Sequence, residues 1–127
     1  MFASFVLLDD DIGRAALANY FERHIDVAKT HKLGFILESP TWRASPDWGR
    51  KLGRSREEID KLNAEAIYLI RTLRNRHESE VLPLVISGCI GPRGNGHVPG
   101  ELMNAGKSQE YHSRQTNALA EARLEPT

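Results

Sequence analysis

A single cysteine, Cys89, leaves this chain of 127 residues no intramolecular disulfide and fits a reducing compartment. Net charge is equally scarce: 17 basic residues balance 17 acidic ones, so no global field draws the chain to nucleic acid or to an anionic membrane. No apolar run approaches the roughly 20 residues of a membrane span. The opening FASFVLL is apolar, but no basic segment precedes it and Asp9, Asp10 and Asp11 follow at once, which is unlike a secretory signal. These absences predict a cytoplasmic protein without nucleic-acid or membrane partners. The 40% hydrophobic and 27% charged residues that remain suit one small globular domain.

Residues 11–32 place Ile12, Ala16, Leu17, Tyr20, Phe21 and Ala28 at helical spacing, with acids at the N-terminal end, Lys29, His31 and Lys32 at the other, and Gly34 as the stop. Residues 55–77 form the clearest element. Ser55 and Glu58 make a capping box, and Ile59, Leu62, Ala66, Leu69, Ile70 and Leu73 mark a core-facing stripe. The opposite face, with Arg56, Asp60, Arg71 and Arg74, reads as solvated. A third helix is predicted from Ser108 to Ala122, with Tyr111, Gln115, Ala118, Leu119 and Ala122 on one face.

Between these helices lie two apolar runs, GFILE (34–38) and LPLVIS (82–87), continuous rather than alternating, as in strands buried on both faces of a parallel sheet. The order is helix, strand, helix, strand, helix. The segments that follow the strands, 39–54 and 88–107, are far longer than ordinary βα connections, and in βαβ units they fall at the carboxyl end of the sheet, where α/β proteins hold ligands. Two strands alone leave apolar edges exposed, so the composition is that of a piece of a larger α/β domain.

The candidate site residues lie in those two segments. Glu38 ends a strand, where burial suits a carboxylate to proton transfer or to holding a substrate amine; pairing with Arg43 or Arg93 is the equal alternative. Pro40 holds Ser39 extended, which presents Thr41 and Trp42 at the sheet end. Trp42 can wall a pocket, whereas Trp48 reads as a packing anchor. In GCIGPRGNG, the glycines suit close backbone approach, but the spacing matches neither a P-loop nor GxGxxG, and Pro92 and Pro99 replace a direct helix start. Arg93 is the charged group there able to clamp an anion. Cys89 reads as an inert small residue, the five histidines form no zinc pattern, and no GxSxG elbow supports a hydrolase.

FILESPTWRASPDWGRKLG and VISGCIGPRGNG, with the helical YHSRQTNALAEA, resemble the homocysteine S-methyltransferase family, over about Gly13 to Ala122. The resemblance implies an α/β fold that is part of a (β/α)8 TIM barrel, in which a methyl donor methylates the thiol of homocysteine or a similar thiol and zinc activates that thiol. It places Glu38, Thr41, Trp42, Gly88, Gly91 and Arg93 at the homocysteine pocket. The family's first strand should precede the first helix, but this chain starts beside that helix. The cysteines that hold the zinc would lie beyond residue 127, and Cys89 is not at a matching position. The expectation is a single partial domain over 1–127, a truncated or frame-interrupted gene product holding the second and third βα units, without catalysis of its own. The alternative is a non-catalytic interaction module whose strand edges pair with a partner chain.

Overall fold

The computed structural model describes residues 3–80, 82–98 and 100–124; Pro99 and the tail 125–127 lie outside the described residues. A 3-10 turn, Ser4–Asp9, leads into α1, Asp11–Thr30, whose N-terminus is capped by the Asp10 carboxylate accepting from the Gly13 N–H at 2.7 Å. Strand β1, Phe35–Glu38, is followed by the short α2, Pro46–Lys51, and by α3, Arg56–His77. Strand β2, Leu84–Ser87, and α4, Ala105–Leu124, complete the chain. Among the described residues, no helix is long and apolar enough to cross a membrane.

The capping box at Ser55 and Glu58 forms as the sequence predicts, with both reciprocal hydrogen bonds present. The end of α1 differs. Lys32, not Gly34, turns the chain out, adopting a left-handed φ of 54° while the Leu33 N–H reaches back to the Ala28 carbonyl at 2.9 Å. The α1 stripe also shifts: Ile12 and Tyr20 are exposed, and Leu17, Phe21, Ile25 and Ala28 go inward. Helix α4 begins three residues before Ser108, because the Asn104 side chain accepts from the Lys107 N–H at 2.9 Å and serves as its cap. The predicted loop 39–54 contains α2, opened by Ser45, Pro46 at the first turn and Asp47, a helix-start combination within the sequence.

The two strands are parallel, with Phe35 opposite Leu84, Ile36 opposite Val85 and Glu38 opposite Ser87. The fold is therefore α/β, with two strands among the described residues. Helix α3 is the centre of the packing and touches α1, α4, both strands and the 3-10 turn. Leu37, Leu84, Ile67, Ile70 and Leu73 form the principal core with Phe21 and Ile25 from α1 and Leu119 and Ala122 from α4; Phe5, Leu8, Leu17, Ile59 and Leu62 form a second one under the 3-10 turn. Arg71 does not stand in solvent. It is buried, and its guanidinium donates to the Ala122 carbonyl at 3.0 Å, joining α3 to α4.

Burial on both faces of the strands is not what the structure shows. The helices cover the side bearing Leu37 and Leu84, and the alternate residues Ile36 and Val85 are 62% and 57% exposed on the other. With two strands and every helix on one side, nothing among the described residues covers the second face. The continuous apolar run leaves one open surface, apolar at Ile36 and Val85 and polar at its carboxyl end, where Glu38 and Ser87 pair.

Candidate functional site

The chain leaves each strand into a loop, and hydroxyl chemistry ties the two loops together. The Cys89 N–H donates to Ser39 Oγ at 2.9 Å, and Thr41 Oγ1 donates to the Cys89 carbonyl at 2.8 Å. Ser39 and Thr41 hydroxyls lie 2.7 Å apart; because the Thr41 proton is used on Cys89, Ser39 is the donor between them. The result is a closed ring of three hydrogen bonds. Thr41 is fully buried at its centre, and the Ser39 N–H continues the strand pairing onto the Ser87 carbonyl at 2.8 Å.

A cleft of about 890 Å³ runs along the unpaired edge of β1. Tyr20, Phe21 and His24 of α1 form one wall, Phe35 and Ile36 the floor, and Glu38, Ser39, Pro40, Trp42 and Cys89 the end nearest the carboxyl ends of the strands. Glu38 is exposed on the open face rather than buried as the strand reading predicts. Beside it the half-buried Cys89 thiol is pushed up to about 11, first by burial and then by the hydrogen bond and negative charge of Glu38. A thiol held protonated is a weak nucleophile. Glu38 and Cys89 thus form a polar end to an otherwise apolar and aromatic cleft, suited to a small ligand with a cationic group and an apolar body.

Trp42 stands at that end, 41% exposed, and the glycines of the second loop exist to approach it. A Cβ on Gly91 would come within 2.7 Å of indole Cδ1 and closer still to the Trp42 carbonyl oxygen; one on Gly96 would meet the ring at 3.2 Å. Arg43 stacks between the two indoles, 5.4 Å from Trp42 and 4.7 Å from Trp48. Trp48 is buried, as a packing anchor should be.

Glu38, Trp42 and Gly91 are therefore brought together, with Thr41 behind them as the tie. Gly88 faces α4, where a Cβ would meet Leu119 at 3.1 Å. Arg93 lies apart. Its Nε donates to Asp47 at 2.8 Å and its guanidinium covers the Tyr111 ring at 4.8 Å, in a separate depression with Trp48, Arg50 and Lys51. Sequence reasoning passed over Ser39, Cys89, Tyr20 and His24. The signal for Ser39 was its place two residues before Thr41, on the same side of an extended segment.

Asp47 gives a measurable pH dependence. Burial raises its pKa, but the Arg93 hydrogen bond and the charges of Arg93 and Arg50 outweigh it and hold the carboxyl below its ordinary 3.8. An acid whose folded pKa is depressed stabilises the fold above its ordinary value and loses that contribution as pH falls through the folded one. Asp47→Asn is expected to be less stable than the wild type above about pH 4, with the difference closing on acidification. Chemical denaturation at pH 7 and pH 3 measures both.

A family model described as Homocysteine S-methyltransferase matches residues 5–125. The chain belongs to the homocysteine S-methyltransferase family. Neither the curated proteins nor the solved structures gave a match to it. The match takes in both strands, both loops and the whole cleft. A zinc ion goes with this family's chemistry, and the residues here do not fit one: among the described residues no three His, Cys, Asp or Glu side chains converge, and Cys89 has Glu38 alone as an acidic neighbour along the cleft lining.

Proposed function

We propose that the cleft end formed by Glu38, Trp42 and Cys89 receives homocysteine, the thiol substrate after which the family is described. The observation that carries this is the placement of an exposed carboxylate at the carboxyl end of β1, inside a matched family segment and against an aromatic wall. Glu38 holds the substrate ammonium by a charge-assisted hydrogen bond, and Trp42 covers the methylene chain. Gly88 and Gly91 keep the second loop close enough to bound the pocket, Thr41 fixes its back, and Arg93 lies within reach of an anionic methyl donor or substrate carboxylate at the outer rim. In the complete family reaction a donor's methyl group passes to the substrate sulfur, making methionine.

The open face supports a second part of the reading: β1 and β2 are two strands of a (β/α)8 barrel, and their exposed residues Ile36 and Val85 belong to its interior. With residues that do not build a metal site, the 127-residue chain binds its substrate without turning it over. It does so in the cytoplasm. Calorimetric titration with L-homocysteine is expected to show binding that Glu38→Gln weakens roughly 10-fold or more, the scale of a charge-assisted contact. Equal affinity of wild type and variant would remove Glu38 from the site, and methyl transfer by the purified chain would overturn the inactive assignment.

A different role, pairing with a partner chain through the strand edges, draws support from one feature. Phe35 and Ser39 donate their N–H groups to Pro83 and Ser87, so the alternation of a parallel ladder turns the backbone of Ile36 and Glu38 toward the free edge. A discrete oligomer with a cooperative melt favours this role, and polydisperse aggregation counts against it.

A further inference from the structure

The loop that carries Trp42 into the cleft is held from behind by two buried carboxamides from different helices. Asn63 of α3 is fully buried, and its Nδ2 donates to the Ala44 and Ile59 carbonyls, both at 2.9 Å. Gln115 of α4 is 2% exposed, and its Nε2 donates to the Thr41 carbonyl at 2.9 Å and to Asn63 Oδ1 at 3.1 Å. All four amide protons of the pair are thereby used. Inverting Gln115 would set its oxygen against two oxygens, so the orientation is fixed even though Gln115 Oε1 has no hydrogen-bond partner among the described residues. An acceptor left unpaired in a core is costly, and it is tolerated here because both donors are engaged.

Thr41 passes this restraint to the other loop. Its carbonyl accepts from Gln115 and its hydroxyl donates to Cys89, so a single residue stands between α4 and the thiol beside Glu38. We propose that Gln115 is the positioning residue of the cleft: through Thr41 it sets the separation of the two strand-end loops, and with it the placement of Trp42, Glu38 and Cys89. The part of this that concerns homocysteine rests on the family reading of the cleft, whereas the placement of the loops does not.

The sole cysteine reports the placement directly. In Gln115→Met, which keeps volume and loses both donors, the loops part and the Cys89 thiol is hydrated, so its alkylation rate by iodoacetamide at pH 8 is expected to rise from several-fold to about 10-fold. Ser55→Ala, which weakens the remote α3 cap, serves as the control for general destabilisation and is expected to leave that rate unchanged. An unchanged rate in Gln115→Met, or an equal rise in both variants, overturns the proposal. Should Gln115→Met fail to fold, amide hydrogen exchange in the wild type decides: common protection of the Gln115 side-chain amide and the Cys89 N–H supports the coupling, and a freely exchanging Cys89 N–H beneath a protected Gln115 overturns it. Homocysteine titration runs in parallel. Absence of binding to the wild type counts against the family reading of the cleft, and the alkylation comparison still decides the positioning role.

Discussion

Gly91→Ala is expected to lower stability by about 1–3 kcal/mol, the range for forcing extra volume into a packed site, and to shift tryptophan emission to longer wavelength. The added carbon would press on the Trp42 carbonyl and on indole Cδ1 and Nε1, the last two at 2.7 and 2.8 Å. Backbone cannot yield as the end of a flexible side chain does, so the second loop must lift away and the indole must meet water. At this chain length each kcal/mol corresponds to roughly 3–5 °C in melting temperature. Gly100→Ala is the matched control, since a Cβ there meets nothing within 4 Å. If both variants melt with the wild type and emit alike, the close approach of the two loops is not present in solution.

The second large effect is expected from Asn63→Leu. The substitution keeps approximate size but leaves the Ala44 carbonyl without its donor and one Gln115 proton without its acceptor, both inside the core. With each orphaned group costing about 1–3 kcal/mol, a loss of about 2–4 kcal/mol follows. Because Asn63 and Gln115 share a hydrogen bond, Asn63→Leu combined with Gln115→Met is expected to cost less than the two singly. Urea denaturation of the four proteins measures the cycle, and strict additivity would show that the two amides act independently.

These residues also mark how far the sequence could be read. Helix α3 was legible because its cap and its stripe agree: Ser55 and Glu58 close the box, and Ile59, Leu62, Ala66 and Ile70 point inward together. Asn63 sits on that inward face one turn from Ile59 and Ile67, and a polar residue inside an apolar stripe was the available sign of a buried network. Its partners were not legible, because Ala44, Thr41 and Gln115 come from elements that meet only in three dimensions. Gln115 did fall on the predicted face of α4, which told where it points and not what it holds.

The strand positions were legible, and their exposure was not. A run such as FILE has the same composition whether one face or two are covered, and the answer depends on how many strands and helices surround it. At the site, Glu38 and Trp42 were found because a carboxylate and an indole at the end of an apolar run are out of place in a strand. Thr41 was found for the right location, and its hydroxyl is engaged with Cys89 behind the cleft. Arg93 illustrates the limit of reading a charge from a loop. Asp47, 46 residues earlier in the chain, captures it, and nothing in the spacing indicates that pairing.

The most direct test of the homocysteine cleft is a titration of the isotope-labelled chain with L-homocysteine, followed by amide and indole chemical shifts. Saturable shifts at Glu38, Ser39, Cys89 and the Trp42 indole N–H, with α1 responding at Tyr20 and His24, are the expected result. Shifts confined to the Asp47, Arg93 and Lys51 depression, or none at concentrations where homocysteine binds, would contradict the assignment of the substrate to the β1 cleft.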